Sequence, residues 1–186
     1  MPKMNAVDPN TATGPTKTAF DEAKTQFGGV INLFKVAGNA PNVLAGILAL
    51  NKSLNTGAEL SHRQIELVAM LVSALNRCDY CVNVHMQVGK NAGVEEHALI
   101  AALEAKSEDP SEQALLTYTD EVVRNRGLVS EATFNAAKSA GFSDKALLEV
   151  IGVVGLYTTL QYIRHAADPA HDFPMVKSFN PELHGA

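Results

Sequence analysis

The stretch Ser61-His62-Arg63-Gln64-Ile65-Glu66-Leu67-Val68-Ala69-Met70-Leu71-Val72-Ser73-Ala74-Leu75-Asn76-Arg77-Cys78-Asp79-Tyr80-Cys81-Val82-Asn83-Val84-His85 decides how this chain is read. Ser61-His62-Arg63-Gln64 has the S-x-x-Q form of a capping box, so it opens a helix whose apolar run carries on to about Leu75. Asn76 is then placed to cap a second helix, with Asp79 three residues later, and that helix ends near Asn91-Ala92-Gly93, where Gly93 suits a left-handed C-terminal position. Cys78, Cys81 and His85 stand at i, i+3 and i+7, on one face of this second helix. The two cysteines are the only ones in the chain, and both fall in one C-x-x-C motif.

Outward from this stretch the same punctuation recurs. Alanine and leucine dominate, alternation of β-branched residues is scarce, and the predicted fold class is all-α. A first amphipathic helix covers about Lys17 to Phe27 and stops at Gly28-Gly29. Val30 to Ala37 is a short helix closed by Gly38, and Pro41 opens another that reaches Leu54. Downstream, Val94 to Ala105 is helical, Asp109-Pro110 caps a helix ending at Asn125-Arg126-Gly127, and Ser130 starts a short one closed by Gly141. The last long helix opens at Ser143 or Asp144 and runs to about Ala167, before Asp168-Pro169. Residues 1–15 are expected as a flexible arm, and 16–186 as one domain with its redox core at about 60–105. The segment from Ala170 onward is expected to lie over the body or on a neighbour.

A chain of 186 residues that is 46% hydrophobic and 19% charged buries a substantial core. Its net charge of -5, with no run of Lys or Arg, argues against a nucleic-acid or anionic-membrane partner. The segments 65–75 and 146–163 are the most apolar; Glu66, Glu149 and Gln161 interrupt them, so both read as core helices. The polar start, Met1 to Gly14, lacks an apolar stretch behind a basic segment, which points to a cytoplasmic protein. In a reducing compartment a lone cysteine pair is better explained by redox chemistry or metal binding than by a structural disulfide. A shift of 83 residues also lays Ile65-Glu66-Leu67-Val68 over Leu148-Glu149-Val150-Ile151, either a worn duplication or chance agreement between apolar helices.

The positive end of a helix favours a thiolate, and a C-x-x-C pair lets an oxidised sulfur be resolved as an intramolecular disulfide. His85, one turn on, is placed to take a thiol proton. Buried inert thiols are the bland alternative, and zinc is the chemical one. Cys78, Cys81 and His85 with Glu66 or His62 would complete a tetrahedron, yet no second C-x-x-C or H-x-x-x-H pair exists. Covalent haem needs His directly after the second cysteine, where this chain has Val82. Glu66, inside an apolar run, is either a proton acceptor or part of a polar stripe with His62, Ser73 and Asn76. His62 and His97 are expected at the surface. The group from His165 to Asp172 is a helix end, or an approach to a site or metal from the C-terminal side. Tyr118, Tyr157 and Tyr162 read as core, and no Gly-rich phosphate loop supports a nucleotide or flavin cofactor.

The pattern Glu66-x11-Cys78-Asp79-Tyr80-Cys81-x3-His85, preceded by Leu60-Ser61, resembles the core of the AhpD-like alkylhydroperoxidases within the carboxymuconolactone decarboxylase superfamily. The clear likeness covers about Leu60 to Ala105. It implies an all-α helical bundle, homo-oligomeric and without cofactor, that reduces hydrogen peroxide or organic hydroperoxides, drawing electrons from a protein or small dithiol reductant. By motif position it makes Cys81 the attacking thiol, Cys78 the resolving one, and Glu66 and His85 the proton relay. The well-studied members have a second His where this chain has Tyr80. A phenol, ordinarily titrating near pH ~10, is a poor proton acceptor at neutrality, so the expected role of Tyr80 is to orient a peroxide through its hydroxyl. Against the assignment of Cys81 stands the helix dipole, which favours Cys78. The alternative function is a thiol-disulfide adaptor, or a metal-binding module, without peroxide turnover.

Overall fold

The computed structural model describes residues 2–182 and, within them, nine α-helices and no strand. In chain order these are α1 (Gly14–Phe27), α2 (Asn32–Ala37), α3 (Pro41–Gly57), α4 (His62–Leu75), α5 (Asp79–Asn91), α6 (Glu96–Ala102), α7 (Pro110–Arg124), α8 (Glu131–Ser139) and α9 (Asp144–Ala167). Four of the caps read from the sequence form the expected bonds. Ser61 and Gln64 close a reciprocal capping box, Asp109 accepts from the N–H groups of Ser111 and Glu112, Ser130 from Thr133, and Ser143 from Ala146.

Helix α4 is the axis of the bundle. Every residue from Ile65 to Leu75 is buried, because α5, α6, α7 and α9 pack around it. Each large apolar side chain so placed contributes about 1.5–3 kcal/mol relative to exposure. One side of α4 meets Leu115, Val122, Val150, Val153 and Leu156; the other meets Val82, Met86, Leu99 and Leu116. A third cluster joins α1, α2 and α3 through Phe20, Phe34, Leu44 and Leu48. Gly89 lets α6 approach α5 closely, since a Cβ there would come within 2.8 Å of Leu99.

Two local expectations shift. The helix predicted over Val94 to Ala105 is shorter, with Glu95 as an N-cap lacking a side-chain bond and Leu103 already at the C-cap. Asn76 is the C-cap of α4, and the residue capping α5 is Cys78. The cause is a Schellman turn: Arg77 takes a left-handed φ of 55°, Cys78 N–H donates to Ser73 O at 2.8 Å, and Arg77 N–H to Ala74 O at 2.9 Å. These bonds end α4 one residue after Leu75, and the chain enters α5 with Cys78 at its mouth.

Both terminal segments lie along the body. Lys3 N–H donates to Ala167 O and Val7 N–H to Lys35 O, while Asn39 donates to Asn5 O, so much of the stretch expected as a flexible arm is hydrogen-bonded. Beyond α9, Asp172 accepts from Asn32 N–H, Val176 N–H donates to Asn83, and Phe179 is buried near α5 and α6. Helix α9 is apolar and long enough to cross a membrane by length and composition, despite Glu149 and Gln161. In the fold it packs on α2, α3, α4 and α7. It also lies beside α4, its partner in the 83-residue shift, but the burial differs: Ile65 and Val68 are enclosed, whereas their counterparts Leu148 and Ile151 are exposed.

Candidate functional site

The site forms where the mouth of α5 meets α9 and the segment after it. Cys78, as N-cap, turns its sulfur back to accept from Cys81 N–H at 3.3 Å, so it satisfies one of the free donors of the helix start. Cys81 lies one turn in, hydrogen-bonded to Cys78, and both thiols are free. Leu33, Tyr80, Ile31, Val84, Leu160 and Ile163 pack around them. Cys78 is fully enclosed and Cys81 is 5% exposed, so both are buried and Cys81 is the less enclosed of the two.

Burial pushes the Cys81 thiol up, and the hydrogen bond and charge of Cys78 push it further. Arg164 on α9 acts in the opposite direction, and Asp79 again raises it. Of two sulfurs so close, one ionises at the expense of the other. Cys78 holds the helix-start position that the dipole argument singles out, while Cys81 is the less enclosed of the two.

Glu66 and His85 meet. His85 Nδ1 lies 2.9 Å from Glu66 Oε2, and both side chains are buried. With the carboxylate ionised, Nδ1–H donates to it and leaves Nε2 as the lone pair that can accept a proton. Tyr157 of α9 fixes the ring from its edge, with centroids 4.4 Å apart at 77°. Burial pushes the Tyr157 phenol well up, with the charges of Glu66 and Cys81 adding to it. The polar stripe expected along α4 therefore divides. Glu66 turns to His85, whereas Ser73 and Asn76 bond to Gln161, which accepts from Asn76 Nδ2 at 2.6 Å and donates to Ser73 Oγ at 3.1 Å. His165 Nε2–H adds a bond to Asn76 O, so three polar residues hold the turn that presents Cys78.

Tyr80 is placed differently from its expected role. Its ring is 1% exposed, and its hydroxyl donates to Asp172 and accepts from Leu33 N–H at 3.3 Å. Burial, then the bond to Asp172, push its phenol far up. Both bonding directions serve the fold, because Tyr80 ties α5 to α2 and to the segment after α9. The His165–Asp172 group does approach the site from the C-terminal side: His171 bonds to Asn83 at 3.0 Å and lies 3.7 Å from Asp79. His62 and His97 are exposed. Among the described residues no three His, Cys, Asp or Glu side chains converge as a metal site.

Arg164 and Tyr157 were not singled out from the sequence as site residues, and Asp172 only as one end of the His165–Asp172 group. The first gives an ion pair to Asp79 at 2.8 Å. All three stand 70 or more positions from the cysteines in the chain, and no spacing rule links them to the motif.

Comparison with known proteins gives the same frame. A model of the carboxymuconolactone decarboxylase family matches residues 41–121. A solved peroxidase-related protein with an alkylhydroperoxidase AhpD core, from Ralstonia eutropha JMP134, superposes with a TM-score of 0.78 at 19% identity, covering 92% of each chain. A peroxidase-related protein from Silicibacter sp. TM1040 gives 0.75 at 20% identity, over 92% of this chain and 94% of that one. The debrominase Bmp8, solved with 2,3,4-tribromopyrrole, gives 0.75 at 15% identity, over 97% and 94%. A comparison with curated protein sequences gave no match. At these identities the structural likeness establishes the shared helical fold.

Proposed function

We propose that this chain, whose residues 41–121 match a model of the carboxymuconolactone decarboxylase family and whose fold is like that of an AhpD core, is a thiol-dependent peroxidase working through Cys81 and Cys78. The observation that carries the reading is the joint placement of two contacting thiols at the start of α5 and a buried Glu66–His85 pair one turn further along. Fold alone does not choose the substrate, as the debrominase on the same scaffold illustrates.

In the proposed cycle His85 Nε2 takes the Cys81 proton, and Glu66 holds the ring in the tautomer that allows this. The Cys81 thiolate attacks one peroxide oxygen. An S–O bond forms, the O–O bond breaks, and the leaving alkoxide or hydroxide receives the proton from His85. The Cys81 sulfenic acid is then attacked by Cys78, which forms the disulfide and releases water. A dithiol reductant returns both sulfurs to thiols. The chemistry suits a reducing compartment such as the cytoplasm.

Self-association belongs to the same reading. Leu148, Ile151 and Tyr162 are exposed along α9, an apolar stripe that a second copy of the chain would cover. Light scattering is expected to give a multiple of the monomer mass at micromolar concentration; a monomer mass would remove this part.

The function is tested by mixing anaerobically reduced protein with hydrogen peroxide and, separately, cumene hydroperoxide, and following thiol loss and the Cys78–Cys81 disulfide by mass spectrometry. Rapid loss of two thiols into one intramolecular bond is expected. Thiols inert to peroxide that exchange with an added dithiol or disulfide would establish the adaptor reading instead, and stoichiometric zinc on the purified protein would establish the metal reading.

A further inference from the structure

Arg164 sits on α9 facing the mouth of α5, 15% exposed by its side chain. Its Nη2 binds Asp79 Oδ1 at 2.8 Å, and Nη1 lies 3.7 Å from Asp168. Its Nε is the single buried side-chain nitrogen or oxygen among the described residues without a hydrogen-bond partner. A buried donor left without an acceptor is costly, so such atoms are few and call for an explanation. Asp79 lies between the two cysteines, so its ion pair fixes the guanidinium at the redox site. Arginine holds its charge at any working pH and has no proton to give up, which separates its use from that of His85.

We propose that Arg164 is the anion-holding residue of this site: anchored by Asp79, it sets a permanent positive charge beside Cys81 and offers its free Nε–H to the negative sulfur or oxygen formed there. Labour is then divided. Glu66 and His85 move the proton, and Arg164 stabilises the charge left behind. The electrostatic effect of Arg164 on Cys81, opposing burial, has the required sign. The other groups that act on Cys81 are Cys78, Asp79 and Tyr80 around its own helix and Tyr157 from α9, while His85 stands one turn further along α5. Glu66 acts behind His85, and His171 and Asp172 act behind Asp79 and Tyr80.

The part concerning the sulfenate oxygen rests on the peroxidase reading; the part concerning the thiolate does not. The test therefore uses no peroxide. The rate of Cys81 alkylation by iodoacetamide, read by peptide mass spectrometry on the reduced full-length protein, is measured against pH for the parent, Arg164→Gln, Arg164→Lys and Asp79→Asn. Arg164→Gln is expected to move the profile upward by about one pH unit and slow alkylation at neutral pH about tenfold. Arg164→Lys, which keeps the charge, should restore the rate to within about threefold of the parent. Asp79→Asn removes a negative charge and also frees Arg164 from its anchor, two changes of opposite effect on Cys81, so its shift should be smaller than that of Arg164→Gln. A folded Arg164→Gln protein with the parent profile overturns the proposal. If that variant does not fold, Arg164→Met takes its place, and a folded Arg164→Met protein with the parent profile overturns it. Failure of the peroxidase reading would appear as thiols inert to peroxide with these alkylation shifts intact.

Discussion

Replacing Glu66 by Gln probes the proton relay with little change of shape. Glu66 and His85 are both buried, their contact is 2.9 Å, and Tyr157 holds the ring edge, so the substituted amide would occupy nearly the same volume and still bond to Nδ1. Two things change. A charge-assisted hydrogen bond, worth about 1.5–3 kcal/mol, becomes a neutral one worth about 1 kcal/mol. The amide can also rotate to donate to Nδ1, and the ring proton then moves to Nε2, which can no longer accept from a thiol. General acid–base groups contribute about 10²–10⁴-fold, and a relay whose ring stays in place but spends most of its time in the wrong tautomer should lose about 10²-fold. The folded state should lose about 1 kcal/mol, or about 2–4 °C in melting temperature for a chain of this size. The assay is single-turnover thiol oxidation by hydrogen peroxide, with rapid quenching and alkylation, beside a thermal melt. His85→Gln should be slower still, because it removes the base itself. A Glu66→Gln protein that oxidises within about threefold of the parent would refute the relay.

Tyr80→Phe removes the bonds to Asp172 and Leu33 at a cost of about 2 kcal/mol, so the melting temperature should fall about 4–8 °C while thiol oxidation stays within about twofold. A large fall in rate without a fall in melting temperature would return Tyr80 to the substrate. Alkaline stability follows from the thiol and phenol shifts. Cys81 titrates higher in the folded state than the ~8.5 of an unfolded thiol, and Tyr80, Tyr118 and Tyr157 higher than ~10, so the folded protein holds protons that the unfolded chain releases. Their contribution is full below those unfolded values and is lost as pH rises toward the folded ones. Melting temperature should therefore decline above about pH 8.5 and more steeply above about pH 10; a flat profile to pH ~11 would contradict it.

The helices are legible in the sequence because their signals are local. Ser61 with Gln64, Asp109 with Pro110, Ser130 and Ser143 each satisfy backbone N–H groups within three residues, and such caps act the same way in most surroundings. The start of α5 differs from its expected place for a related reason. Asn76 has the better capping chemistry, yet the Schellman bonds of Arg77 and Cys78 at the end of α4 decide the turn, and Arg77 accepts a left-handed φ that would ordinarily point to Gly or Asn. The Glu66–His85 contact could be anticipated as one of two readings, because α4 and α5 are consecutive and pack together. Arg164, Tyr157 and Asp172 come from α9 and the segment after it. They reach the cysteines only through tertiary packing, and a single sequence carries no spacing signal for that.

The proposed chemistry turns on the division of work between the two sulfurs, and trapping the sulfenic acid tests that division most directly. Cys78→Ser and Cys81→Ser proteins, reduced and given one equivalent of peroxide with dimedone present, are digested and mapped by mass spectrometry. The expected result is a strong label on Cys81 in the Cys78→Ser protein, because attack proceeds and no resolving thiol remains, and little label on Cys78 in the Cys81→Ser protein. A strong label on Cys78 in the Cys81→Ser protein, with none on Cys81 in the other, would contradict it. The helix-start N–H groups would then outweigh access and His85 in choosing the attacking sulfur.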